Sequence, residues 1–147
     1  GLSAVEKIKA RHPDIRIVVV TSLLDYEVLS RAKTAGADSL WYKDSTQEAL
    51  MDVVRKTADG AHIFPDCPPA VEIGTAKSTE FTKAERKVLR YLVRGFSYGK
   101  IAETMGIEVT TVKYHVTNML QKTNLENKLQ LALAVSDAKM IADLAEE

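Results

Sequence analysis

The sequence predicts a chain in two parts: an α/β segment with two parallel strands and three helices, then an all-α segment of four helices. Three observations carry this. Residues 15–21, IRIVVVT, form an unbroken apolar, β-branched run between amphipathic stretches, the pattern of a parallel strand covered on both faces. Residues 65–80, PDCPPAVEIGTAKSTE, hold three prolines and little periodicity. Proline restricts its own φ and its neighbour's and removes an amide donor, so this stretch reads as a linker. Residues 101–124 read as two short helices around a glycine turn. The expected division is 1–65, a linker at 66–80, and a helical domain at 81–147.

In the first part, Leu2, Val5 and Ile8 mark a short helix that ends near His12-Pro13, before the strand at Ile15 to Thr21. Val28, Leu29, Ala32 and Ala35 mark a second helix closed by Gly36. Ser39 to Tyr42 is a short strand, and Leu50, Val53, Val54 and Thr57 mark a third helix. Helix alternating with strand implies a parallel pair with right-handed crossovers. Two strands leave an apolar edge unpaired, which invites a second copy.

In the second part, Thr82 and Glu85 have the spacing of a capping box, and Val88, Leu89, Leu92 and Val93 make the core face of the helix they open. Ser97 caps the next helix, whose Ile101, Ala102 and Met105 face inward before Gly106 ends it. The third helix turns Val112, Val116, Met119 and Leu120 one way and Thr110, Lys113, Tyr114, Thr117 and Gln121 the other. A greasy back and a short-polar, cationic front suit the DNA major groove, which admits one α-helix. Glu108 stands where a cap belongs, but glutamate caps poorly. The last helix, from about Asn127, has two apolar stripes. Leu129, Ala132 and Leu133 form one, and Leu131, Val135, Ala138 and Ala142 form the other, the one assigned to a partner. Apolar positions continue through Met140, Ile141 and Leu144, so this helix is expected to be long.

Composition narrows the function classes. Apolar residues make up 46% of 147, enough for a core, with no run long enough for a membrane span and no signal peptide, as in a soluble cytoplasmic protein. Cys67 is the single cysteine, so there is no internal disulfide, and nothing suggests a metal cluster, a cofactor or a catalytic Ser-His-Asp or Cys-His set. The zero net charge hides an asymmetry: residues 82–130 carry nine basic and four acidic side chains, hence +5, while residues 131–147 carry one basic and four acidic ones, hence −3. A basic block in a neutral chain suits a polyanion.

The stretch from Phe81 to Ala134 resembles the LuxR-type helix-turn-helix domain. Thr82, Glu85 and Arg86 match the family's opening; Gly95, Ser97, Ile101 and Ala102 match its Gly-x-Ser-x-x-x-Ile-Ala; Thr111 to Val116 carry Thr-Val-Lys-x-His-Val unbroken. The resemblance implies base contacts from Lys113, Tyr114 and Thr117, and backbone contacts from Ser97, Lys100, Thr110, Thr111 and Lys122, on a recognition helix at about Val109–Lys122. It also implies homodimerisation through the last helix, matching a two-half-site operator.

Residues 1–65 resemble the back end of a flavodoxin-like response-regulator receiver domain. Gly1-Leu2 matches the glycine after the phosphorylation-site strand, Thr21 the switch hydroxyl, and Ala35-Gly36-Ala37 and Lys43 flank the last strand. Leu40 departs from the aromatic often found there. A partial receiver with a LuxR-type domain implies a NarL-type transcriptional regulator, with a sensor histidine kinase only for a full-length parent. No phosphoacceptor aspartate is present: Asp14, Asp25, Asp38 and Asp44 are not placed for the role. Without it, Thr21 and Lys43 read as a bystander hydroxyl and a surface lysine. One rival is an interaction module, with the receiver-like half binding a partner and the helical domain as scaffold. The other is an α/β enzyme, against which stands the lack of a glycine-rich phosphate loop.

Overall fold

The computed structural model describes residues 1–43 and 46–142. The chain divides into two compact units, Gly1–Pro68 and a second that begins at Pro69.

The first unit runs α1 (Leu2–Arg11), β1 (Val18–Thr21), α2 (Tyr26–Thr34), β2 (Ser39–Tyr42) and α3 (Gln47–Ala58). β1 and β2 pair in parallel, from Val18 opposite Ser39 to Thr21 opposite Tyr42. On the other side of β2, Ile63 makes a single parallel bridge to Ser39. The core gathers Leu2 and Val5 from α1, Leu29 and Ala32 from α2, and Leu40 and Tyr42 from β2. Two side chains start the later helices, as their sequence allows: Asp25 accepts the Glu27 amide at 2.9 Å, and Thr46 accepts the Ala49 amide at 3.3 Å. A buried hydroxyl pair, Ser39 Oγ and Thr57 Oγ1 at 2.7 Å, ties β2 to α3, and Ser39 Oγ also takes the Ile63 amide.

The apolar run is not covered on both faces. It pairs only from Val18 onward, and Ile15 and Val20 stay 48% and 40% exposed. Ile15 lies before the part of the run that β2 holds, and among the described residues β1 has a strand neighbour on one edge only.

Asp38 is the electrostatic centre of this unit. It is buried, and its carboxylate meets Lys9 Nζ at 2.8 Å, the Ile17 amide at 2.8 Å and Arg16 Nη1 at 3.3 Å. Burial alone would raise its pKa. The hydrogen bond from Lys9, the Ile17 amide, the Lys9 charge and Arg16 together outweigh that and hold it below the ordinary value.

The second unit opens with β3 (Glu72–Ile73) and β4 (Ala76–Lys77), an antiparallel hairpin, and a 3-10 turn at Ser78–Glu80. Four helices follow: α4 (Lys83–Val93), α5 (Tyr98–Met105), α6 (Val109–Thr123) and α7 (Lys128–Asp137). Part of the stretch expected as linker is therefore folded: Ile73 and Ala76, each 1% exposed, join the helical core with Val88, Leu89, Ile101, Val112 and Met119. Two apolar side chains facing each other across one tight turn were enough, once helices offered a surface to bury them.

The Thr82–Glu85 capping box forms as expected, the hydroxyl taking the Glu85 amide at 3.1 Å and the carboxylate the Thr82 amide at 3.0 Å. α7 is shorter than expected. It stops at Asp137, Lys139 takes φ +58°, and Met140 and Ile141 fold back into the core. Burying these two offsets ending the helix; Leu144 lies outside the described residues.

Candidate nucleic-acid interface

The candidate site is the outer face of α5, its turn and α6. Ser97 Oγ accepts the Lys100 amide at 3.2 Å and starts α5. Gly106, at φ +68° and ψ 36°, ends it in the left-handed region that a side chain would disfavour. Glu108 then occupies the N-cap of α6 without any side-chain capping bond, as the sequence suggested. Val112, Val116 and Met119 anchor α6 in the core. Their burial turns Thr110, Lys113, Tyr114, Thr117 and Gln121 outward, all exposed, with Thr111 half-buried. Tyr114 projects furthest of the apolar-bodied residues here, at 63% exposure, with its ring 5.8 Å from that of His115. The surface is thus a row of hydrogen-bonding side chains with one cation and one aromatic ring.

A second cationic group flanks the start of α5. Lys100 Nζ lies 4.6 Å and the Arg94 guanidinium 5.1 Å from the centre of the Phe96 ring, which stacks on Tyr91 at 5.3 Å. Lys128 Nζ sits 4.4 Å from the Tyr98 ring. Arg94 and Lys128 were missed in the sequence. The available signal was the aromatic pair at positions 96 and 98 around the capping serine, since aromatic faces gather cations.

Two sequence assignments are corrected. Lys122 was expected on the DNA backbone. Its ammonium instead bonds the buried Glu85 carboxylate at 2.8 Å and the Glu80 carbonyl at 2.9 Å, near the Phe81 ring. It faces inward because the buried carboxylate of the capping box needs a cation. The stripe assigned to dimerisation is also inside. Leu131 and Val135 are fully buried, Ala142 is buried and Ala138 is half-buried against the core. α7 packs on α4 and α6, which takes that stripe and leaves Leu129 and Leu133 outward, 66% and 55% exposed.

In the first unit, Thr21 and Lys43 come to adjacent strand ends, where the Lys43 amide donates to the Thr21 carbonyl at 2.9 Å. The Thr21 hydroxyl accepts the Leu23 amide at 3.1 Å, and the Lys43 side chain is exposed. Asp25 is held as a helix cap. Among the described residues, no group of three or more His, Cys, Asp or Glu side chains could hold a metal, and no helix is long and apolar enough to cross a membrane.

Residues 79–135 match the family model GerE, bacterial regulatory proteins of the luxR family. The chain is 30% identical over 138 residues to the response regulator protein VraR of Staphylococcus aureus (strain Mu3 / ATCC 700698), an alignment covering 90% of this chain and 66% of that protein. The VraR of Staphylococcus epidermidis matches to the same extent. The chain thus spans just under two thirds of the length of these relatives. A solved structure of two RcsB dimers bound to two parallel DNAs superposes with a TM-score of 0.50 at 20% identity, over 92% of this chain and 66% of that one. An RcsB–DNA complex gives 0.50 at 19% identity with the same coverage. At such identity the likeness concerns the fold: two parallel strands with helices, then a four-helix helix-turn-helix unit.

Proposed function

Because the chain belongs to the luxR family of bacterial regulatory proteins, we propose that it is a DNA-binding transcription regulator of a two-component system, with α6 as its recognition helix. One observation carries the reading. α6 buries one face completely and presents on the other an uncovered row of Thr110, Lys113, Tyr114 and Thr117. A helix about 10 Å across with such a face fits the major groove. Lys113 donates to guanine O6 and N7, Thr117 bonds a base edge or touches a thymine methyl, and Tyr114 presses its ring on a methyl or sets the tilt of the helix. Ser97, Lys100, Thr110 and Thr111 hold the phosphate backbone, joined by Arg94 and Lys128. The reading places the protein in the cytoplasm as a homodimer, joined through the outward Leu129 and Leu133. It makes a sensor histidine kinase the partner of a longer form that carries the phosphoacceptor.

Fluorescence-anisotropy titration tests this, using a duplex selected from a random pool and a mixed-sequence control, over a salt series. Lys113→Ala costs about 1–3 kcal/mol on the selected duplex and less on the control. Lys100→Ala weakens both alike and flattens the salt slope by about one unit. No binding to any duplex at low salt rejects the reading.

A further inference from the structure

The turn of the β3–β4 hairpin sits against the C-terminal end of α6. Gly74 and Thr75 form that turn, and Gly74 takes φ +59°. A Cβ at Gly74 would lie 2.1 Å from the Thr123 carbonyl oxygen, so only glycine lets the two backbones approach this closely. Thr75 uses the approach twice: its amide donates to the Thr123 carbonyl at 2.9 Å, and its hydroxyl donates to the Lys122 carbonyl at 2.9 Å. Both carbonyls belong to the last turn of α6, which has no intrahelical donor left for them. Asn124 then ends the helix at φ 56°. The Lys122 ammonium adds a third tie, to the Glu80 carbonyl and the Glu85 carboxylate.

The hairpin is itself anchored. Ile73 and Ala76 are in the core, and Ser78 holds Val71 through two bonds: its amide donates to the Val71 carbonyl at 2.7 Å, and its hydroxyl accepts the Val71 amide at 2.9 Å. The opposite end of α6 lacks a side-chain cap. The C-terminal end of the helix is therefore held by residues far away in sequence, while its start has no side-chain cap.

We propose that the hairpin is a brace that sets the recognition helix, with Gly74 and Thr75 as positioning residues for DNA binding; this rests on α6 being the DNA-reading helix. A helix held in its binding pose loses less freedom when the complex forms. Without the brace, that ordering falls on the binding step.

The test uses the full chain and the Thr75→Val, Thr75→Ser and Gly74→Ala variants. Amide exchange over residues 120–124 is read without DNA, and anisotropy titration on a mixed-sequence duplex follows. Thr75→Val removes one hydroxyl bond without changing shape. It speeds exchange at the end of α6 and weakens binding about two- to tenfold, the equivalent of one net hydrogen bond. Thr75→Ser restores both readouts, which a loss of packing alone would not allow. Gly74→Ala, which forces the turn off the helix, has the larger effect. Unchanged exchange in Thr75→Val overturns the brace. Faster exchange with unchanged affinity overturns the positioning role. If the wild type binds no duplex, the DNA reading fails by itself, and the exchange arm still decides whether the brace exists.

Discussion

Replacing Lys122 by methionine costs more stability than replacing its partner Glu85 by glutamine, and the asymmetry follows from where each charge sits. The Glu85 side chain is 4% exposed and that of Lys122 is 25% exposed. Lys122→Met leaves a carboxylate that cannot reach water, with the Thr82 amide at 3.0 Å as a remaining donor. Breaking a buried pair by removing one member costs about 3–5 kcal/mol; the partial exposure of the lysine and the surviving amide bond bring the figure to about 2–3 kcal/mol. Glu85→Gln leaves an ammonium that keeps the Glu80 carbonyl and reaches solvent, at about 1 kcal/mol. The double variant costs less than the two singles summed, because the stranded charge is gone. Met119 and Met140, both in the helical core, report this unit alone: their methyl NMR signals followed through a urea titration give the three midpoints. If Lys122→Met were the milder change, or left stability intact while flattening the salt dependence of DNA binding, Lys122 would be a phosphate contact after all.

Other consequences can be measured with the same chain. Glu108→Ser supplies the missing cap of α6; it stabilises the helical unit by about 0.5–1 kcal/mol in the methionine titration and tightens DNA binding by removing a charge that repels phosphate. The lowered pKa of Asp38 means that its ion pairs stabilise the first unit above the unfolded carboxylate value, about 4, and that this stability drains away as pH falls through the lower folded value. Trp41, the sole tryptophan, reports that unit by fluorescence, and Asp38→Asn should lose most of the acid-dependent slope. Leu129→Lys combined with Leu133→Lys should shift sedimentation toward the monomer while leaving the methionine midpoints unchanged, since both side chains already face outward.

What the sequence determined by itself lay in local patterns. The Thr82–Glu85 box, the Ser97 cap, the Gly106 stop and the missing cap at Glu108 involve residues within three or four positions of one another, and all four appear as read. The inward and outward faces of α6 follow from helical period alone, so Lys113, Tyr114 and Thr117 were legible as an exposed row. The extent of β2 was legible for the same reason: Gly36 closes the helix before it, and the strand is short.

The tertiary structure decided everything that depends on a distant partner. Periodicity showed two stripes on α7 but could not say which one α4 and α6 would cover, and the stripe with Leu131 and Val135 turned inward. Lys122 had the type and position of a phosphate contact, yet a carboxylate thirty-seven residues earlier in the chain claims it. Residues 72–80 looked like linker because two-residue strands are too short to carry a period. They fold because Ile73 and Ala76 find a core and Thr75 finds the open carbonyls at the end of α6. A side chain's local neighbours set its helix face and its caps; whether that face meets protein or solvent is fixed by long-range packing, where burial of apolar area and the need to pair a buried charge outweigh local preference.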